Sequence, residues 1–199
     1  MAWLEPITLV GEHASLEPLS PAHEADLATA CADGRLWELW YTTVPSPETM
    51  RAEIERRLAL QRAGAMLPFA VRQRASGRLV GMTTYMNVDD RHRRLEIGST
   101  WYAASVQRTA LNTDCKTMLL RHAFERLECI AVEFRTHYMN FASRGAIERL
   151  GARLDGILRS HMRMPNGTLR DTAVYSITAA EWPAVRANLD GLLRRPRTA

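Results

Sequence analysis

The sequence has little lysine and no long apolar segment. Lys116 is the only lysine, so the formal net charge of +4 on this 199-residue chain comes almost entirely from arginine. No apolar run approaches the roughly 20 residues that a membrane-spanning helix needs. The first ten residues also lack the basic and apolar regions of a signal peptide. We therefore expect a soluble cytoplasmic protein without a membrane partner.

Cysteine is scarce, and the common metal and nucleotide motifs are absent. Cys31, Cys115 and Cys129 form no CxxC pair, which favours three reduced and mostly buried thiols over disulfides or a zinc site. The six histidines form no cluster with ligand spacing, so we expect no metal. The motifs GxxxxGK[ST], HExxH, GxGxxG and GxSxG do not occur.

The positive charge is scattered. Apart from RHRR at 91–94 and RRPR at 194–197, the arginines alternate with glutamates. A nucleic-acid-binding protein would usually show a continuous basic stripe within a recognisable module, so that class is not favoured. A mild positive field would still attract a polyanionic cofactor. With 46% hydrophobic residues, the chain is expected to form one domain over residues 1–199.

Hydrophobic periodicity and turn signals divide the chain into alternating strands and helices. One strand or two short pieces are expected within 7–18. The other predicted elements are helices at 20–31, 46–64, 112–127, 142–150 and 178–193, and strands at 67–74, 78–88, 93–102, 130–137, 153–164 and 169–177. This order predicts an α/β (α+β) domain with one mixed, mostly antiparallel sheet of about seven strands and helices on both faces.

Several residues are expected to fix the ends of these helices. Asn112 or Thr113 can cap the third helix, Asn140 can cap the fourth, and Gly151 can end it. Thr178-x-x-Glu181 matches a capping box for the last helix, although Pro183 then falls awkwardly after the first turn. The loops before the third and fourth helices follow the carboxyl ends of strands, which is where a phosphate-rich ligand is expected in α/β proteins.

Three stretches together carry a family signature. Residues 95–101 read LEIGSTW, residues 140–151 read NFASRGAIERLG, and the closing hairpin contains PNG at 165–167 and YSI at 175–177. In this order and spacing they resemble the GNAT superfamily of acyl-CoA-dependent N-acyltransferases. The closest resemblance is to the RimJ/RimL branch, which has an EIGxW strand and an NxxSxxxxxxxG helix. That branch acetylates the N-termini of ribosomal proteins and has many small-molecule relatives.

The resemblance implies a binding site for acetyl-CoA. The family's pyrophosphate loop, Q/R-x-x-G-x-G/A, corresponds to Gln107, Arg108, Thr109, Ala110, Leu111 and Asn112, followed by Thr113. Alanine and asparagine stand here at the glycine positions, and the loop can keep its function if φ of Ala110 is negative. The family also implies that the strand ending at Trp101 and Tyr102 separates from its neighbour, so that pantetheine bonds to the freed backbone.

The resemblance also implies catalytic roles. Glu96 corresponds to the base that deprotonates the amine, although it could instead form an ion pair with Arg91, Arg93 or Arg94. Ser143 resembles the acid that protonates the leaving thiolate, unless its hydroxyl only bonds to the backbone, and Tyr138 is a substitute acid. Asn140 is expected either to contact pantetheine or to act only as a helix cap.

The expected function is transfer of an acetyl group from acetyl-CoA to a primary amine, on a protein N-terminus or a small molecule. The sequence leaves open a non-catalytic acyl-CoA-binding or regulatory module, which only the alanine in the loop supports. Members of the branch are often monomers or dimers, so a homodimer is also open. The aromatic residues Trp37, Trp40 and Tyr41 are expected either in the core or in the wall of an acceptor pocket.

Overall fold

The structure is a computed structural model, and it describes residues 3–195. One sheet holds eight strands, in the order β1-β2-β3-β4-β5-β6-β8-β7. The strands are β1 (Leu9–Val10), β2 (Ala14–Pro18), β3 (Met66–Gln73), β4 (Leu79–Asp89), β5 (Arg94–Tyr102), β6 (Ala131–His137), β7 (Arg153–Arg163) and β8 (Leu169–Thr178). The count exceeds the expected seven by one because the region 7–18 forms two strands.

Helices cover both faces of the sheet. They are α1 (Glu24–Ala32), α2 (Met50–Arg62), α3 (Leu111–Glu125), α4 (Phe141–Leu150) and α5 (Trp182–Arg194). One hydrophobic core lies under α3, α4 and α5, and a second lies under α1 and α2. All three cysteines are free and buried, as expected, and burial raises the pKa of Cys115 and of Cys129 to about 12. Between residues 3 and 195, no helix is both long and apolar enough to cross a membrane.

The sheet opens between β5 and β6. These two strands are parallel and pair at only three positions, from Arg94 opposite Ala131 to Glu96 opposite Glu133. Beyond that point β6 stays paired with β8 as far as His137, whereas β5 stays paired with β4 as far as Tyr102. A gap therefore separates the carboxyl ends of β5 and β6.

A β-bulge explains why β5 turns away. Gly98 pairs with Thr84 and Trp101 pairs with Met82, so Ser99 and Thr100 together face one residue of β4. Ser99 has φ +47°, a left-handed conformation that a bulged residue can adopt. Bulges bend a strand and increase its twist, which moves the end of β5 out of line with β6.

A fully buried arginine holds this bulge from α2. Arg57 is 2% exposed, and its Nη2 donates to the carbonyl of Ser99 (3.2 Å) while its Nη1 donates to the hydroxyl of Thr84 (2.7 Å). Its Nε donates to the carboxylate of Glu53 (2.6 Å). Burial lowers the pKa of Arg57, but arginine stays charged in proteins, so these acceptors stabilise a buried cation.

The predicted helix caps are partly confirmed. Asn140 accepts the Ser143 N–H (3.0 Å) at the start of α4, and Gly151 ends that helix at φ +104°. The prediction for α3 was wrong, because the helix begins at Leu111 and Asn112 and Thr113 lie inside its first turn. Thr109 provides the side-chain acceptor at the start of α3 instead, since its Oγ1 accepts the Leu111 N–H (3.3 Å).

The start of α5 also differs from the capping-box prediction. The helix begins at Trp182, so Pro183 occupies its second position, where a missing N–H leaves no helical hydrogen bond unmade. The carboxylate of Glu181 does contact Thr178, because it accepts both the N–H and the hydroxyl of that residue at 2.9 Å. These bonds close the turn that precedes the helix.

Candidate active site

Two helix N-termini flank the gap between β5 and β6. Helix α3 follows the carboxyl end of β5 after the loop of residues 103–110, and α4 follows the carboxyl end of β6 after residues 138–140. Each N-terminus carries a partial positive charge and backbone N–H groups that lack helical partners. The gap is thus lined by freed strand backbone and bounded by two anion-attracting helix ends.

The loop at the start of α3 is ordered by its own side chains. Gln107 donates from Nε2 to the carbonyl of Tyr102 (2.9 Å), and Thr109 donates from Oγ1 to the carbonyl of Val106 (2.7 Å). Ala110 has φ −68°, so this position needs no glycine. The left-handed residue of the loop is Arg108, at φ +59°. Asn112 is helical and does not use its tolerance of left-handed geometry.

This loop presents hydrogen-bond donors to an anion. In the described part of the chain, the backbone N–H groups of Ala110, Asn112 and Thr113 donate to no protein group. A cleft of about 130 Å³ adjoins the start of the helix at Ala110 and is lined by Glu12, His13, Gln73, Ala75, Thr109, Ala110 and Leu111. Uncapped N–H groups at a helix start suit a diphosphate, so the residues present fit the phosphates of coenzyme A.

Glu96 lies at the last position where β5 and β6 are still paired. Its side chain is on the opposite face from Leu95 and Ile97, as strand alternation predicted, and only 5% of the residue is exposed. Oε2 accepts a hydrogen bond from Nδ2 of Asn87 (2.7 Å), whereas Oε1 accepts none from residues 3–195. Burial raises the pKa of Glu96, and the Asn87 bond and the Arg135 charge oppose that rise. The carboxylate thus has the raised basicity that suits a general base.

The ion pair expected as the alternative for Glu96 was assigned to the wrong arginines. Arg94 instead binds Glu133, with Nη2 2.6 Å from Oε1. The guanidinium nearest to Glu96 belongs to Arg135 of β6, with Nε 3.6 Å from Oε2, and Arg135 bonds more closely to Glu133 (2.9 Å). Glu96 therefore has one hydrogen bond, from the Asn87 amide, and one longer ion pair, with Arg135.

Gly98 leaves the space that Glu96 occupies. A Cβ atom at Gly98 would lie 2.7 Å from Oε1 of Glu96 and 2.8 Å from the sulfur of Met86. We expect Gly98→Ala to displace the carboxylate and lower kcat by about tenfold or more, since misplacing a catalytic group by about 1 Å is costly. Steady-state kinetics would check this, with Gly156→Ala as the control because nothing lies within 4 Å of its Cβ position. Equal rates for both variants would show that Glu96 need not stay in place.

The predicted acid candidates lie at the start of α4. Ser143 is half-buried in the first turn, and its hydroxyl makes no hydrogen bond to the described residues, so it is not occupied by backbone. Tyr138 is half-buried between β6 and α4, and the guanidinium of Arg144 stacks over its ring at 4.6 Å. The amide of Asn140 is engaged as the helix cap.

The side chains of Trp101 and Tyr102 lie on opposite faces of the sheet. The Trp101 side chain packs in the core under α1 and α2, and the Tyr102 side chain packs in the core under α3. Both residues are under 9% exposed, so only their backbone can face the gap. The aromatic segment before α2 is also divided, because Trp37 packs against the α1 and α2 core whereas Trp40 is 48% exposed.

Sequence reasoning missed Asn87, Arg135 and Lys116. No sequence motif indicates Asn87. In the structure its φ is +48°, it lies at an irregularity in the pairing of β4 with β5, and its amide donates to Glu96. Lys116 of α3 is buried beside the β5 bulge, and its Nζ donates to the hydroxyls of Thr100 (2.9 Å) and Thr83 (3.3 Å). Burial lowers the pKa of Lys116 to about 8.

We expect Lys116→Met to stabilise the fold at pH 7 by roughly 1–3 kcal/mol, because burying an unpaired ammonium is costly. The two threonine hydroxyls stay satisfied, since they already bond to each other at 2.8 Å. The unfolded lysine holds its proton up to about pH 10.5 and the folded one only to about 8. The free energy of unfolding of the wild type should thus rise as the pH increases from about 8 to about 10.5. The stability advantage of Lys116→Met over the wild type should shrink over the same range. Urea denaturation at pH 7 and pH 9.5 would measure it; a destabilised variant at pH 7 would contradict the reasoning.

Comparison with known proteins identifies the fold. Residues 14–153 match the family model described as the acetyltransferase (GNAT) domain. The chain belongs to the GNAT acetyltransferase family. This confirms the expected single sheet with helices on both faces, with eight strands. None of the curated proteins matches the sequence.

Solved GNAT structures superpose over nearly the whole chain. A T. thermophilus protein described as an acetyltransferase is 32% identical, with 96% of this chain and 99% of that chain covered and a TM-score of 0.84. A GCN5-related N-acetyltransferase from Brucella melitensis is 29% identical, with 96% and 86% covered and a TM-score of 0.85. Mycobacterium smegmatis RimJ, in complex with CoA-disulfide, is 25% identical, with 95% and 96% covered and a TM-score of 0.80. The RimJ neighbour agrees with the expected branch.

Proposed function

We propose that this protein is an acetyl-CoA-dependent N-acetyltransferase that acts on a primary amine in the cytoplasm. The observation that carries the proposal is the placement of the buried Glu96, whose pKa is raised, beside a strand gap that is bounded by the N-termini of α3 and α4. Acetyl-CoA would supply the activated acyl group as a thioester. Ala110, Asn112 and Thr113 would hold its phosphates through their backbone N–H groups.

Glu96 would act on the attacking amine. Alkyl amines are largely protonated at neutral pH, with ordinary pKa values of about 8 for an α-amino group and about 10.4 for a lysine side chain. The amine must lose a proton to become nucleophilic, and a carboxylate with a raised pKa takes that proton more readily than an ordinary one. Oε1, which has no partner among residues 3–195, is the oxygen available for the transfer, directly or through one water.

Ser143 would return a proton to the departing sulfur. Its hydroxyl lies in the first turn of α4, where the helix dipole also favours developing negative charge. Tyr138 is the second candidate, because its hydroxyl belongs to the loop between β6 and α4 and the Arg144 guanidinium stacks over its ring. Comparing Ser143→Ala with Tyr138→Phe would decide between them, because only the acid's variant should slow release of free thiol.

The competing function is a module that binds acyl-CoA without turnover. Its only support was the alanine in the pyrophosphate loop, and that support weakens because Ala110 has an ordinary helical φ. Calorimetric titration with acetyl-CoA, with dephospho-CoA as a control, tests the cofactor. Free-thiol release with a panel of primary amines then tests turnover. Binding without amine-dependent thiol release would favour the module, and no binding at millimolar acetyl-CoA would reject both functions.

A further inference from the structure

Three arginines lie near Glu96 and Glu133 on one face of the sheet. Strand pairing puts Glu96, Glu133 and Arg135 on this face, because Glu96 lies opposite Glu133 and Arg135 is two residues further along β6. Arg94, two residues before Glu96, joins them through its bond to Glu133. Arg170 of β8 adds a third guanidinium on the same face, since it bonds to Thr172, which lies directly opposite His137.

Arg170 has no carboxylate partner within the described chain. It is half-buried, and the one hydrogen bond that its side chain makes to residues 3–195 joins Nε to the Thr172 hydroxyl at 2.9 Å. Glu133 is already bound by Arg94 and Arg135, and the neighbouring Asp171 is bound by Arg159 (2.6 Å). The Arg170 charge nevertheless reaches the reaction centre. It opposes the rise that burial causes in the pKa of Glu96, and it adds to burial in lowering the pKa of His137. Because Arg170 forms no ion pair with a carboxylate among residues 3–195 and uses only Nε in a side-chain hydrogen bond, its remaining N–H groups can bind a further anion.

His137 supplies a second donor at this place. It is 4% exposed, and its Nδ1 accepts the Met139 N–H (3.0 Å), which puts the proton of the neutral ring on Nε2. Nε2 is buried and has no partner among residues 3–195, which is costly for a polar group. The half-exposed ring of Trp40 packs edge-to-face on this imidazole at 5.2 Å and forms an apolar wall beside it.

We propose that Arg170 and His137 form a subsite for a carboxylate of the amine acceptor. The acceptor class is then an amine that also carries a carboxylate, so that Glu96 faces its nitrogen while Arg170 binds its anionic end. The inference rests on the proposed function and narrows its acceptor. A free α-amino acid and a peptide with an acidic residue next to its N-terminus share this chemistry. Nε2 of His137, which is buried beside the Trp40 ring, would donate to the second carboxylate oxygen once the ligand displaces its surroundings.

Kinetics with matched acceptors tests this subsite. The small-molecule arm compares phenylalanine and leucine with their amides, and the peptide arm compares C-terminally amidated Ser-Asp-Gly with Ser-Asn-Gly. In at least one arm we expect kcat/KM to be about 10- to 100-fold higher for the carboxylate member, which is the usual strength of a charged hydrogen-bonded pair. The arm that shows the difference identifies the source of the carboxylate. Equal values for acid and amide in both arms would overturn the proposal.

Variants test whether Arg170 causes the preference for carboxylate over amide acceptors. Arg170→Gln should abolish this preference, and Arg170→Lys should retain part of it. Arg163→Gln should leave this preference unchanged, because Arg163 is exposed on the same hairpin and the one bond of its side chain to the described residues is to the Gly167 carbonyl. The acetyl-CoA affinity should stay the same in all three. If Arg170→Gln weakens acetyl-CoA binding instead, the guanidinium serves the cofactor and the subsite is rejected.

A binding measurement keeps this proposal separate from the proposed function. Thermal shifts with phenylalanine, leucine and the acidic peptide, each against its amide, need no turnover. Stabilisation by a carboxylate ligand that is lost in Arg170→Gln would support the subsite even in a protein that does not release free thiol. If no carboxylate ligand stabilises the protein more than its amide does, the subsite is rejected, whether or not acetyl-CoA supports turnover.

Discussion

Glu96→Gln is expected to lower kcat by about a hundredfold or more while the protein stays folded. General-base catalysis typically contributes about 10²–10⁴-fold, and glutamine can accept the Asn87 hydrogen bond but cannot take a proton. The loss should be largest below the pKa of the acceptor amine, where deprotonation limits the rate. Steady-state free-thiol release across pH 6–9 would measure it, and wild-type rates in the variant would rule out Glu96 as the base.

The matched control is Glu133→Gln, which removes the carboxylate directly opposite on β6. Glu133 binds Arg94 and Arg135, so its loss should change kcat much less than the loss of Glu96. Stability gives a second readout. Because burial raises the folded-state pKa of Glu96, its contribution to the free energy of unfolding declines as the pH rises from 4.5 through that pKa. Glu96→Gln should therefore be as stable as the wild type, or more stable, at pH 7.

Arg57→Ala is expected to destabilise the fold by about 3–5 kcal/mol, the usual cost of removing one partner from a buried charged network. It would leave Glu53, Thr84 and the Ser99 carbonyl without their guanidinium and open a cavity between α2 and the sheet. Because the Ser99 bulge directs β5 away from β6, the folded fraction should also lose turnover. Urea denaturation and kinetics at saturating substrate would separate these effects.

Arg56→Ala is a close control, because Arg56 binds the same Glu53 carboxylate but its side chain is 52% exposed. Exposed ion pairs contribute about 1 kcal/mol or less, so this variant should differ little from the wild type. Similar losses in both variants would mean that Glu53, rather than the buried tether to the bulge, accounts for the stability.

The sequence predicted those features that depend on local chemistry. Alternation in LEIGSTW placed Glu96 opposite Leu95 and Ile97, and the Asn140 cap and the Gly151 stop followed from residue type. Asn112 was misjudged because a good capping residue is also tolerated inside a first turn when the loop before it is ordered by Thr109. Side-chain identity alone does not decide between those two positions.

Other features depend on contacts between residues far apart in the chain. The sequence around Arg57 does not indicate its hydrogen bond to Ser99, which is 42 residues away. Likewise, the sequence around Glu96 does not indicate its ion pair with Arg135. Such pairs arise only when the sheet order and the register are fixed. The absence of an ion pair at Arg170 among the described residues is likewise a property of the assembled face, since Glu133 and Asp171 are bound by other arginines.

The burial of Lys116 has a practical consequence for chemistry on this protein. The only lysine of the chain is 7% exposed, and its side chain extends from α3 to the hydroxyls of Thr83 and Thr100 in the sheet, so the described surface presents no side-chain primary amine. Thioesters acylate exposed lysines without any enzyme, and such self-modification often obscures assays with reactive acyl donors. Here the basic residues on the described surface are arginines and histidines, so acetyl-CoA meets no exposed lysine ε-amine there. In intact-mass spectra, side-chain amine acylation should therefore stay at background after long incubation with acetyl-CoA, and acetyl transfer can be followed on the added acceptor.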